Sequence, residues 1–383
     1  MRTKHLMAYL AFGLCVVLSF SAFAAETIRF GVCLSLTGSM RESGNAHLAG
    51  VLIRLAEYND SIGPDGKILE VLVRDDESNA ERAAAIVEEL ATKHGVSAII
   101  GPTSSGLAAA MRPNAVKHEV VVISPTATHP DIGKNDDWVL RILFDDAFQG
   151  AGLARFMRED LGIRRGAALV NEKSAYGMKV LDAFHEEFAA KGGVMAAEEK
   201  YQLDLAGQSE MDFKKYLQNV ADSKPEIILL PNYSWEVSAI IRQSLSIPYR
   251  AIFCGGDTWL NENVLLESGN NLEGGYFIAG RNIDSEAPEM LHFRKLYDMS
   301  NDPDARPNSF LGYDALSMLI GAMANGTSGK EIREGLFALT DFPLASGNIS
   351  VFRERGVLKA AYIYKIVSTF DGFAAEPVKE VNP

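Results

Sequence analysis

Cysteine is nearly missing from this chain: three residues in 383, at positions 15, 33 and 254. That excludes a disulfide scaffold and a thiolate metal cluster. Histidine never clusters; after His5 the rest stand far apart, at 47, 94, 118, 129, 185 and 292, so no metal site is expected. A nucleotide cradle of the G-x-G-x-x-G type is missing after the first strand-like run, where the chain reads Ser35-Leu36-Thr37-Gly38-Ser39-Met40. No G-x-S-x-G elbow occurs either; Gly101-Pro102-Thr103-Ser104-Ser105-Gly106 does not match it, and no base can be assigned to its serines. Positive charge is in deficit, with 37 Lys and Arg against 50 Asp and Glu and a net charge of −13. Nucleic acid needs a basic footprint and is excluded as a partner. Repeats and low-complexity tracts are missing too. Nothing here supplies a catalytic set, so the expectation is a protein that is not an enzyme and carries no cofactor.

A long hydrophobic run occurs once, at the start. Arg2, Lys4 and His5 precede an uncharged stretch over 6–25, which contains Ala22-Phe23-Ala24. A basic start, an apolar middle and an A-x-A end describe a secretory signal peptide over residues 1–24. A membrane anchor is the alternative, since about 18 apolar residues can span a bilayer. The small-residue end and the strand-like segment directly after it favour cleavage. Phe12-Gly13-Leu14-Cys15 is a poor lipoprotein box. The expected product starts at Ala25 or Glu26 and is an exported, periplasmic, soluble chain. Removing 24 of the 383 residues leaves 359, too many for one ordinary core and suited to two. It keeps only Cys33 and Cys254, both in strand-like apolar runs. A disulfide between them is open to an exported chain, but two buried free thiols fit those surroundings better.

Short apolar runs then alternate with amphipathic helical patterns. Strands are expected at 28–34, 68–73, 98–100, 120–123, 167–170, 194–201, 227–230, 251–253 and 275–278. Helices are expected near 46–58, 80–93, 107–117, 148–160, 177–191, 212–220, 237–245, 287–299 and 309–324. Strands separated by helices of this length indicate parallel βαβ units. The end of the chain reads as a hairpin, 349–352 with 361–367, around 353–356. The fold class is α/β: two doubly wound parallel-sheet lobes joined by three crossover segments, near 140–146, 277–281 and 345–349. The first lobe is expected over 25–144 plus 279–347, the second over 145–278 plus 348–383.

Two strand-to-helix loops about twenty residues apart carry the functional signal. One runs from Ala98 to Met111 and the other from Val120 to Ile132; each turns from a β-branched run to Gly, Pro, Ser and Thr. Their short hydroxyls, with the free N–H groups of a helix start, make an anion site at the edge where open α/β sheets bind ligands. In the second half Tyr176, Tyr233, Asp257 and Trp259 each follow a strand and fall at the matching edge. One lobe then offers hydroxyls and N–H groups, the other a carboxylate with aromatic walls. That pair suits a zwitterion, its carboxylate on the first lobe and its ammonium on Asp257. The paired acids Asp75-Asp76 and Asp145-Asp146 read as helix caps.

These segments resemble the periplasmic solute-binding proteins of branched-chain amino acid ABC importers, which have the type I periplasmic binding fold. The resemblance covers the chain beyond the signal and runs through IRFGVCLSLTG, VRDDESNAERA, IIGPTSSG, ISPTATHP, LVNEKSAYG, LLPNYSWE, FCGGDTW and FLGYDAL. It implies two lobes closing on a ligand and a loaded protein that docks, as a monomer, on a membrane permease. It also implies that the side chains of Ser105 and Thr128, helped by backbone at Thr103 and Thr126, bind the α-carboxylate. Tyr233 and Asp257 would take the α-ammonium, and Tyr176 would close the second-lobe side. Asp257 is shorter than the Glu that leucine-type binders carry. Ser43 stands where those proteins often place an aromatic, with Arg41 nearby, and Thr126 replaces a small apolar residue. Ser104 and Glu77-Ser78 lack the Cys pair of some members. These departures point to a larger or more polar ligand, or one with a second carboxylate, although Arg41 reads first as a solvated surface residue. A ligand sensor of the same fold, signalling to a partner protein, is the alternative function.

Overall fold

The computed structural model describes residues 27–62, 66–135, 137–204, 211–281, 285–370 and 372–383. The expected signal peptide, Cys15 and the start at Ala25 or Glu26 lie outside the described residues. Five strands build the first sheet: β1 (Thr27–Leu34), β2 (Ile68–Asp75), β3 (Ala98–Ile100), β4 (Val121–Ser124) and β5 (Val139–Arg141). Between them run α1 (Arg41–Ser61), α2 (Ala80–His94) and α3 (Ser105–His118). The order is β2-β1-β3-β4-β5 and every pairing is parallel. β3, β4 and β5 are buried at every residue, as expected of short apolar strands covered by helices on both faces.

Past β5 the chain leaves this sheet. α4 (Asp146–Arg155), continued by a π-helical turn over Phe156–Asp160, leads into β6 (Arg165–Asn171), α5 (Ala175–Ala190) and β7 (Val194–Tyr201). Then come α6 (Lys214–Asp222), β8 (Ile227–Leu230), α7 (Ser234–Ser244), β9 (Ile252–Gly255), α8 (Glu262–Leu272) and β10 (Tyr276–Ala279). After β10 the chain returns to the first sheet's side with α9 (Pro288–Ser300), α10 (Phe310–Ala322) and α11 (Gly329–Phe337), and α10 packs along α1. It ends with β11 (Ser350–Phe352), β12 (Gly356–Leu358), β13 (Ala361–Thr369) and β14 (Gly372–Val381). The second sheet has the order β14-β13-β10-β9-β8-β6-β7, parallel except for the pairings made by β13. The fold is therefore α/β with two separately wound sheets, each with its own buried core. Cys33 lies in β1 and Cys254 in β9, both buried and both free thiols.

The terminal hairpin differs from the one expected. β11 pairs with β12, a tight turn of three residues apart, and Val351 and Val357 are buried in the first core. The 361–369 segment instead pairs with β10 and with β14. β14 escapes sequence reading because it is an edge strand carrying Glu376, Pro377, Lys379 and Glu380, and Pro377 sits at the register shift where an edge tolerates it. The final passage between the sheets consequently falls at Lys359 and Ala360 rather than at 345–349.

Asp75 and Asp76 are not helix caps; Asn79 caps α2. Asp75 accepts from the N–H groups of Leu36, Thr37 and Glu77, and Asp76 accepts from Ser35 Oγ at 2.6 Å. Both acids bind the β1–α1 loop to the end of β2. Asp145 does cap its helix, accepting from Phe148 N.

Candidate functional site

The β3–α3 and β4–β5 loops are joined by their own hydroxyls. Gly101 takes a φ of +128°, and a Cβ there would stand 1.8 Å from the Cys33 carbonyl oxygen, so only glycine lets this turn sit against β1. Ser104 caps α3 by accepting from Leu107 N. Ser105 Oγ accepts from the N–H groups of Thr128 and His129, both at 3.2 Å. Its oxygen is thereby saturated, and its own proton is left for an acceptor in the cleft. Thr126 donates to the Thr103 carbonyl at 2.9 Å, so its hydroxyl is a strut between the loops.

The facing wall comes from the second sheet. Tyr176, on the first turn of α5, and Tyr233, the residue before α7, stack with centroids 5.5 Å apart. Glu236 fixes Tyr233 by accepting from its N–H, and also accepts from Tyr201 and Asn171; burial pushes this carboxyl up to about 7. Asp257 follows β9, and its N–H donates to Gln149 Oε1 at 3.2 Å. Gly256 is needed here: a Cβ would lie 2.2 Å from the Tyr176 hydroxyl and 2.8 Å from Gln149 Oε1. Burial raises Asp257 to about 6, against opposing hydrogen bonds from Tyr176 and Gln149, and its Oδ1 has no hydrogen-bond partner among the described residues. Asp146 lies close behind, hydrogen-bonded to Gln149 and Thr128, and burial raises it well above the carboxylate range.

A cavity of about 770 Å³, counted out to its open mouth, lies between these walls. Ser43, Thr103, Ser105, Thr126, Thr128, Tyr176, Tyr233 and Asp257 all line it. Arg41 does not: it is exposed, roughly 200° around α1 from Ser43, on the helix face turned from the cavity. Trp259 does not line it either. It is fully buried in the second core, where its Nε1 donates to the Leu230 carbonyl at 3.1 Å. It follows Asp257 within one helical turn, and the side chain turns inward to fill space beneath the strands.

Sequence reading missed Met40, His47, Arg281, Asn308 and Phe310, which also line the cavity. Met40, Ser43 and His47 share one face of α1 at spacings of three and four, a signal present in the sequence. Arg281, Asn308 and Phe310 arrive from the return passage and the start of α10, and no local pattern reveals that. Among the described residues no group of three or more His, Cys, Asp and Glu is placed to hold a metal ion, and no helix is long and apolar enough to cross a membrane.

Residues 27–370 match the family model described as periplasmic binding protein. The Leu/Ile/Val-binding protein BraC3 of Rhizobium johnstonii is 24% identical over 337 residues, 87% of this chain and 89% of that one. Among solved structures, the branched-chain amino acid transporter substrate binding protein LivJ of Streptococcus pneumoniae, in complex with isoleucine, superposes with a TM-score of 0.83. It is 27% identical, over 92% of this chain and all of that one. A solute binding protein of an ABC transporter from R. palustris, in complex with 4-hydroxybenzoate, has a TM-score of 0.81 at 19% identity, over 93% of this chain and 97% of that one. These relatives are solute-binding proteins rather than enzymes. The chain belongs to the periplasmic binding protein family and has its type I fold.

Proposed function

We propose that this protein binds an amino acid, as the zwitterion, between its lobes and delivers it to the permease of an ABC importer. Asp257 carries the reading: a buried carboxylate oxygen with no hydrogen-bond partner among the described residues faces a cavity whose other wall is hydroxyls and a helix start. A buried charge of this kind calls for a cation, and an α-ammonium supplies one. The α-carboxylate goes to Ser105 and Thr128, with backbone help at Thr103 and Thr126, beside the N-terminus of α3. Tyr176 and Tyr233 form the wall beside it, and Ser43 faces the ligand from α1. Arg41 and Trp259 have no part. The names of BraC3 and LivJ support an amino acid and a transport role. The chain is expected to be exported by a cleaved signal and to act as a monomer.

Thermal unfolding with a panel of amino acids tests this. A ligand at about 100 times its Kd stabilises by about 2.7 kcal/mol. No shift with any amino acid overturns the reading, and a shift with 4-hydroxybenzoate alone would replace the amino acid by an aromatic carboxylate.

A further inference from the structure

The α1 side of the cavity differs from the side that holds Asp257. Met40, at the start of α1, packs with Tyr176 and Tyr233. His47 lies on the same face seven residues further on, about 10 Å along the helix axis. It lines the cavity at 1% exposure, and neither ring nitrogen has a hydrogen-bond partner among the described residues. Burial drives its pKa down to about 3, so the ring is neutral and offers one donor and one acceptor. Asn308 lines the same cavity and adds an amide to its wall. Arg281, buried with its guanidinium 3.9 Å from the Phe310 ring centroid, also lines the cavity.

A branched aliphatic side chain would meet these groups with methyls and leave the His47 nitrogens without partners. Buried polar atoms are rarely left so. We propose that the side chain of the bound amino acid is long and ends in a carbonyl-bearing polar group, a carboxamide or a carboxylate, received by His47 and Asn308. This rests on the amino acid reading above and narrows it to a substrate class. A site built to hydrogen-bond a ligand group discriminates strongly against the analogue that lacks it.

Isothermal titration of the purified protein with L-glutamine, L-glutamate and L-leucine tests it. The expected result is at least about tenfold tighter binding of glutamine or glutamate than of leucine, and the better of the two identifies amide or acid. His47→Leu should erase the preference, weakening glutamine and glutamate far more than leucine. Should that variant not fold, Asn308→Leu, at a partly exposed position, should reduce the same ratio. Leucine binding as tightly as glutamine and glutamate, or a ratio unchanged in the folded variants, overturns the inference alone. Binding of no amino acid at all overturns the amino acid reading, and this inference with it.

Discussion

Tyr176 and Tyr233 come from the ends of different strands, yet their rings lie 5.5 Å apart with 28° between their planes, and Met40 from the other lobe packs on the pair. Met40 and this stack are one place where the two lobes touch across the cleft. Tyr233→Ala removes it and is expected to weaken ligand binding by about 0.5–1.5 kcal/mol beyond the lost contact area. Titration calorimetry of the variant against the wild type checks this.

Asp257→Ala should abolish ligand-induced stabilisation, a loss of about 2–5 kcal/mol in binding. Without ligand the variant should unfold no earlier than the wild type, because the buried carboxylate it removes has an oxygen with no hydrogen-bond partner among the described residues. Thermal melts with and without ligand separate the two effects.

The pH dependence follows from the same group. Burial holds Asp257 at about 6 in the folded chain against 3.8 for an unperturbed carboxyl. Between those values the folded chain keeps a proton that the unfolded chain has released, so this group's contribution to stability falls as pH rises. An ammonium needs the ionised form. Affinity should therefore be roughly tenfold weaker at pH 5 than at pH 7. Calorimetry at both pH values reads this, and in Asp257→Asn whatever binding remains should vary less over that range, the rest reflecting groups such as Glu236.

Ser105→Ala strands the N–H groups of Thr128 and His129 that its oxygen now receives. The expected cost is about 1–3 kcal/mol of stability, together with weaker binding. Hydrogen exchange at those two amides should quicken in the variant.

Lys359 is buried at the last passage between the sheets, where its ammonium donates to Ser346 Oγ and burial lowers its pKa to about 8. Ser346 in turn donates to Asp314, which also accepts from Ala345 N and Ser346 N. Lys359→Met leaves the buried Asp314 without its cation and should cost about 3–5 kcal/mol, measured by denaturant unfolding.

The alternation of apolar runs and amphipathic helices is local, and it was enough to reveal two α/β wound halves and the strand-to-helix loops that line the cavity. Backbone periodicity and helix starts are properties of a few consecutive residues, so Ser105, Thr128 and Asp257 could be placed at strand ends without a structure. Orientation around an element is another matter. Arg41 and Trp259 stand beside cavity residues in sequence but turn away from the cavity, one to solvent and one into the core, because the neighbours they pack against come from elsewhere in the chain. His47, Arg281 and Asn308 line one cavity although they lie far apart in the chain, and α10 returns to pack along α1. β14 became a strand because β13 offered it a partner, not through its own composition. Local patterns in the chain specify the two α/β halves and the kind of groups at each strand end. The tertiary structure alone decided which side chains share the cavity, since that depends on contacts between residues far apart in the chain.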